Sequence, residues 1–262
     1  MNDDRDPIDR ETGIQGPRWH TVHDGYFASR DVARPFIEAV RRAAIEGPPD
    51  TIADLGGGTG FVLRELSAGL APGVRLVNVD LSAKQLAEAD AARLRRLRLA
   101  ADRVTRRDLG VGDGRLLIIM RSLLHYAGSE GLRPLLAHLA RQLVPGEALV
   151  HQSACFAREE DARCLNLLYQ RMRTEKWYPT VRQLQAELQA AGLAVREVAP
   201  APPLVLTSAD LAERYGLAPR EVEAIREELA NRFGTAAGVF EPGADGFTAW
   251  LHYHIFVCRR AA

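Results

Sequence analysis

The stretch "IADLGGGTGFV", residues 52–62, is an apolar run that ends in an acid and then places glycine at 56, 57, 58 and 60. A short apolar run bounded by glycines reads as a buried strand, here "TIADL", followed at once by a turn. Without side chains at 56, 58 and 60, a ligand can lie against the main chain, and the glycines can take the positive φ of a tight turn. A small ligand with an adenosyl or phosphate group suits such a place. The dinucleotide fingerprint G-x-G-x-x-G is not met: its third glycine would fall on Phe61 counted from Gly56, or on Leu63 counted from Gly58. What stands there instead is Asp54-x-Gly56-x-Gly58-x-Gly60.

Strands and helices alternate outward from this turn. Upstream, Val32, Phe36, Ile37, Val40 and Ala44 recur at helical spacing before a Gly-Pro-Pro stop at 47–49. Downstream, "VRLVNVDL" (74–81) reads as a second strand. Ser82 N-caps a helix predicted over "SAKQLAEADAARLRRLRLAA" (82–101), and "RVTRRDL" (103–109) reads as a third strand. "GRLLIIMRSLLHY" supplies a fourth strand, "EGLRPLLAHLARQLV" a helix, and "EALVHQSACF" a fifth strand after Pro145-Gly146. This order implies right-handed crossovers and a parallel sheet that binds its ligand beyond the carboxyl ends of the strands.

Composition narrows the class. A chain of 262 residues, 47% hydrophobic and 26% charged, is long enough for one large α/β domain. No stretch has the roughly 18 uninterrupted apolar residues of a membrane span, and "MNDDRDPIDRETG" lacks a signal-peptide core, so a cytoplasmic protein without membrane contact is expected. Cys155, Cys164 and Cys258 are odd in number and unpaired in spacing, which suggests neither disulfides nor zinc. A net charge of zero disfavours nucleic acid as a partner.

The motif Asp54-x-Gly56-x-Gly58-x-Gly60 resembles the first motif of the class I S-adenosylmethionine-dependent methyltransferases. The likeness continues at Asp80, which ends the second strand where the family carries an acid that chelates the ribose hydroxyls. It extends to Asp108, placed at the end of the third strand where the family often has an acid for the adenine amino group, with Leu109 supplying a backbone contact. "MRSLLHY" is similar to the segment lining the methyl donor, and "LVPGEALV" to the turn before the fifth strand, with Glu147 in place of a glycine. That departure lies on the far side from the chemistry and is discounted.

The resemblance implies a Rossmann-like, seven-stranded, mostly parallel sheet with an antiparallel last strand at its edge, helices on both faces and helical cap insertions. It implies one methyltransferase domain over 1–262: an N-terminal helical lid (1–48), a cofactor-binding core (49–155), cap segments that wall the substrate pocket (156–180 and 205–246) and a last strand (247–262). Within the second cap segment, Leu211, Tyr215, Val222, Ile225 and Leu229 suit two amphipathic helices. The implied cofactor is S-adenosyl-L-methionine, leaving as S-adenosyl-L-homocysteine, held by Asp54, Gly56, Gly58, Gly60, Asp80, Leu81, Asp108, Leu109, Arg121 and Tyr26. Tyr26 belongs to "WHTVHDGYF" (19–27), which either folds over the cofactor or packs as ordinary surface.

A sulfonium methyl is already a strong electrophile, so few obligatory catalytic groups are expected; a hydroxyl acceptor gains from a general base, for which His is suited near neutral pH. His125, just past the fourth strand, is the first candidate, against a packing role beside the cofactor. His151 on the fifth strand is the second, against a hydrogen-bonded core histidine. His252 and His254 share one strand face without a carboxylate at ligand spacing, which suits a packed face better than a metal site. Arg93, Arg95, Arg96 and Arg98, with Arg103, Arg106 and Arg107, read as a solvated outer helix face rather than an RNA stripe. Arg158, Arg163, Arg171, Arg173 and Lys176 lie in the cap and could meet an acidic substrate. The expected activity is methyl transfer to oxygen or nitrogen of a small organic molecule, in a secondary-metabolite setting suggested by size and cap arrangement. The alternatives are a scaffold that binds the cofactor without transfer and, as the minor one, an RNA methyltransferase. Oligomeric state is open, a homodimer included.

Overall fold

A computed structural model describes residues 22–89 and 94–261, the side chains of 22–24 excepted. Trp19, His20 and Arg93, and the side chains of His23 and Asp24, therefore lie outside the described residues. A 3-10 turn, Val22–Ala28, leads into α1 (Arg30–Glu46), which Ser29 caps by accepting from Val32 N–H. The predicted spacing holds: Phe36, Ile37 and Val40 are buried, and Gly47 ends the helix. Then come β1 (Thr51–Leu55), α2 (Phe61–Ser67), β2 (Arg75–Asp80), α3 (Ala83–Glu88), β3 (Leu94–Arg98), β4 (Leu116–Arg121), a 3-10 turn Leu124–Ala127, α4 (Gly128–Arg141) and β5 (Ala148–Ala154). The cap-side elements are α5 (Glu159–Arg171), α6 (Val181–Ala190), β6 (Leu193–Thr207), α7 (Ser208–Tyr215), α8 (Pro219–Phe233), β7 (Phe240–Pro242) and β8 (Phe247–Arg260).

The sheet order is β3-β2-β1-β4-β5-β8-β6, with β7 added to β8. Pairings from β3 through β5 are parallel, and β8 runs antiparallel to both β5 and β6. The sheet is thus the Rossmann-like, mostly parallel one expected, with two differences. An eighth short strand is present, and β8 lies between β5 and β6 instead of at the edge. The alternation in "FTAWLHYHIFVCRR" is compatible with either position, because a strand paired on both sides still presents two faces. One face of the sheet, with Leu116, Ile118 and Met120, shares a core with Leu136 of α4 and Leu184 of α6. On the other face Ile52, Leu117 and Ile119 join Phe36 of α1 and Leu63 of α2.

The third strand is displaced from its expected place. Ser82 does cap a helix, accepting from Gln85 N–H, but α3 ends at Glu88 and β3 is the arginine-rich Leu94–Arg98. Leu94 and Leu97 are half-buried while Arg95, Arg96 and Arg98 face solvent, so a short strand was concealed in a run of helix-favouring Arg and Leu. The stripe Arg95, Arg96 and Arg98 is accordingly an edge strand and not a helix face.

Candidate active site

β1 delivers its carboxyl end into the glycine turn. Gly56 and Gly57 N–H both reach Val79 C=O, at 2.8 and 3.2 Å, and Gly56, Gly58 and Gly60 have φ of +70°, +53° and +71°. The side chain of Asn78 donates to Gly58 C=O at 2.9 Å. A Cβ on Gly57 would sit 2.1 Å from Asn78 Oδ1 and 2.8 Å from the Asp54 carboxyl, so a side chain there has no room. Asp80 closes the arrangement: one carboxylate oxygen accepts from Gly58 N–H at 2.9 Å and the other from Ser82 N–H at 2.8 Å. Its pKa is nevertheless raised, because burial outweighs those bonds. Leu81, the next residue, is exposed.

Asp54, Arg121 and Gln152 line up across the carboxyl ends of β1, β4 and β5 on one face, by the registers Asp54↔Ile119 and Arg121↔Gln152. All three are buried, and both Asp54 oxygens, Arg121 Nε and Gln152 Oε1 have no hydrogen-bond partner among the described residues. Burial, reinforced by the Asp80 charge and opposed by Arg121, pushes the Asp54 carboxyl up to about 8. Arg121 spends its remaining nitrogens on the N-terminal turn, donating to Phe27 C=O at 3.0 Å and Tyr26 C=O at 3.4 Å, with its guanidinium 5.6 Å from each ring. Tyr26 in turn donates to Pro202 C=O at 2.5 Å and packs 5.8 Å from Tyr253, tying this turn across the sheet ends. Tyr253 shares a 2.8 Å hydrogen bond with Ser122, whose φ of +61° is costly for a non-glycine residue and sharply redirects the chain leaving β4.

That redirected segment joins two environments. Leu123 lies against the glycine turn, where a Cβ on Gly56 would meet its side chain at 2.9 Å. Two residues on, His125 is buried between Tyr126 and Tyr178, with ring centroids 4.2 and 5.4 Å away, and its Nδ1 has no partner among the described residues. Burial and the positive charges of Lys176 and Arg214 hold the His125 ring neutral, well below the usual histidine range. His151 is elsewhere: fully buried on the opposite sheet face, stacked 4.8 Å from Phe256, with Nδ1 bonded to Ser153 Oγ at 2.8 Å. Burial brings its pKa to about 3. His252 reaches Gly238 C=O at 2.7 Å and His254 lies 3.4 Å from Cys155 Sγ.

Asp108 and Leu109 do not join the turn. They follow β3 by ten residues in a stretch of turns whose neighbour Val111 accepts from Arg75, the first residue of β2, at the opposite end of the strands from Asp80. Asp108 is half-buried and accepts from Thr105 N–H and Oγ1–H at 2.9 and 2.6 Å, which lowers its pKa. Leu109 N–H is spent on Thr105 C=O. The expected adenine-side role of this pair fails because β3 ends at Arg98; the first acid after it is Asp102. Asn78, Gln152 and Tyr253 were not expected in the site, and Ser122 only as part of the segment "MRSLLHY". Asn78 had a signal, a lone amide inside an apolar strand, whereas the others depend on which strand ends meet.

Residues 53–147 match the family model described as a methyltransferase domain. The sheet has the Rossmann-like fold of the solved methyltransferase structures with which the chain aligns. A protein of Bacillus halodurans C-125 proposed to be a methyltransferase aligns at 14% identity with a TM-score of 0.67, over 87% of this chain and 100% of that one. A 1,6-didemethyltoxoflavin-N1-methyltransferase of Burkholderia thailandensis, solved with its substrate and S-adenosylhomocysteine, aligns at 16% identity and TM-score 0.56, over 98% and 92%. The [4+2]-cyclase SpnF aligns at 15% identity and TM-score 0.52, over 88% and 82%. Among curated protein sequences none matches. No helix of the described residues is long and apolar enough to cross a membrane.

Proposed function

We propose that the chain transfers the methyl group of S-adenosylmethionine to an oxygen or nitrogen of a small organic molecule. The observation that carries this reading is the Asp80 carboxylate, fixed by Gly58 and Ser82 N–H at the rim of a turn made side-chain-free by Gly56, Gly58 and Gly60. A carboxylate so oriented keeps lone pairs for the two hydroxyls of a ribose. The partnerless oxygens of buried Asp54 suit the cationic amino group of the cofactor's tail, and Asp102 stands where β3 hands the chain over to the base side. When bound, the cofactor supplies an electrophilic sulfonium methyl. The protein's part is to orient the acceptor and exclude water: Arg121 and Tyr26 hold the N-terminal turn over the strand ends, and the buried, neutral His125 has an unbonded Nδ1 that can accept a hydrogen bond from an acceptor hydroxyl. His151, packed in the core on the other face, then serves stability. The setting fits a cytoplasmic enzyme of secondary metabolism.

A second reading, cofactor binding without transfer, is favoured by the alignment with a [4+2]-cyclase, a protein of this fold named for a reaction other than methyl transfer. Calorimetric titration with S-adenosylmethionine and S-adenosylhomocysteine tests the donor site, and a radiolabelled-methyl screen of small acceptors tests transfer. Micromolar binding with transfer supports the enzyme, binding without transfer the scaffold, and no binding removes both.

A further inference from the structure

Two arginines share one face of β2 and β3. Val77 pairs with Arg95, and Arg75 precedes Val77 by two residues on the same side of β2, so Arg75 and Arg95 stand diagonally across the strand pair. Strands about 4.8 Å apart with a rise of about 3.3 Å per residue put their Cα atoms roughly 8 Å from each other, within reach of two long side chains. Like charges so placed repel. Arg95 makes no hydrogen bond or ion pair among the described residues. Its Nη1 lies against Gly110, where a Cβ would meet it at 2.9 Å and where a φ of +68° suits glycine. Arg75 is fixed: Nε–H and Nη2–H donate to Thr51 Oγ1 at 3.2 and 3.1 Å, and Nη2–H also to Val111 C=O at 3.3 Å. Those bonds leave its Nη1 donors over.

Both side chains line a cavity of about 700 Å³ at the amino end of β2, large enough for a drug-sized molecule. Its apolar lining includes Val77 and Leu109, both buried, with Leu70 and Val74 from the connection between α2 and β2. Among the described residues that line it, the charged ones are Arg75 and Arg95. Asp108 acts on Arg95 through space, but its carboxylate bonds Thr105 and lies outside the lining. Arg75 and Asp80 mark the two ends of β2, which places the cavity roughly 16 Å from the acid proposed for the donor.

We propose that this cavity binds a small organic phosphate monoester, its apolar body against Val77, Leu109, Leu70 and Val74 and its phosphate between the guanidiniums of Arg75 and Arg95. Planar guanidiniums match phosphate oxygens with paired hydrogen bonds, and a dianion relieves the repulsion between two cations that no lining acid offsets. The apolar lining separates such a ligand from inorganic phosphate, which would leave that surface in water. The site is distinct from the donor turn and does not depend on methyl transfer.

The test measures, on the full chain, NMR affinities for 1-naphthyl phosphate, 1-naphthol and inorganic phosphate. The expected result is 1-naphthyl phosphate bound at least tenfold tighter than either of the others. Arg95→Gln should weaken it at least fivefold while changing 1-naphthol less than twofold. The thermal midpoint of that variant should equal or exceed the wild-type value, since Arg95 has no bond to lose and one repulsion to shed. Ala71→Trp, at an exposed position of the lining, fills the cavity and should abolish binding of the monoester. Saturating S-adenosylhomocysteine should leave the monoester's affinity unchanged. The proposal is overturned if the monoester binds no tighter than 1-naphthol, if either variant binds it as wild type does, or if S-adenosylhomocysteine displaces it. Should S-adenosylhomocysteine itself not bind, the donor reading fails separately, and the two variants still decide the cavity.

Discussion

The Asp80 carboxylate and the Gly58 N–H are joined by a 2.9 Å hydrogen bond that fixes the acid at the rim of the glycine turn before any ligand arrives. A preset acceptor avoids the ordering cost that binding would otherwise carry. Asp80→Ala is expected to weaken S-adenosylhomocysteine binding by one to two orders of magnitude, on a scale of about 1.5–3 kcal/mol per charge-assisted hydrogen bond. Calorimetry on the variant checks this, and an unchanged affinity would remove Asp80 from the site.

Gly57 makes a sterically sharper case than its neighbours, because its backbone is not in the positive-φ region and the obstacle is purely space. A methyl group there meets Asn78 Oδ1 at 2.1 Å and the Asp54 carboxyl at 2.8 Å, both buried. Gly57→Ala should therefore destabilise the fold by about 1–3 kcal/mol, the usual cost of overpacking, and loosen cofactor binding with it. A wild-type denaturation midpoint in this variant would show that the turn gives way cheaply.

The legibility of the sequence follows the same division between local and distant causes. Ser82, Phe36 and the glycine turn were readable because a cap, a helical period and a φ requirement are set by residues a few positions apart. β3 was not: "LRRLR" favours helix by composition, and only the open edge of β2 makes it a strand. Asp108 was misplaced as a direct result. The site behaved likewise. Asp54, Asp80 and Arg121 are named through motifs that resemble a known family and end β1, β2 and β4, whereas the convergence of Tyr26, Gln152, Lys176 and Tyr253 depends on β8 inserting between β5 and β6.

Glu147, discounted in the sequence as a turn variant, is a buried hub. Its two oxygens take Arg106 Nη1–H and Nη2–H at 2.7 and 3.0 Å, Leu116 N–H at 2.7 Å and Val144 N–H at 2.8 Å. Removing one member of such a pair strands the other and its backbone donors, typically at about 3–5 kcal/mol. Glu147→Ala should lower the thermal midpoint by many degrees while leaving S-adenosylhomocysteine affinity of the remaining folded protein intact, since the hub sits at the far ends of the strands. A drop in affinity without loss of stability would contradict that separation.

Asp54 gives the protein a pH signature of opposite sign to ordinary carboxylates. Burial first, then the Asp80 charge, raises its pKa to about 8 from an unfolded value near 3.8, so between these limits the native state holds a proton that the unfolded chain releases. Stability then falls as pH rises through that window. Exposed pairs such as Arg133–Glu187 hold their carboxylates low and act in the other direction, so the informative quantity is a difference between proteins. Relative to wild type, Asp54→Asn should gain stability progressively from about pH 4 towards about pH 8, with little difference at the acid end, as read from denaturant midpoints across that range. Parallel profiles for the two proteins would mean that Asp54 ionises normally where it lies. Saturating S-adenosylmethionine should flatten the wild-type profile selectively, because a bound ammonium beside Asp54 favours the charged carboxylate and draws its pKa back down.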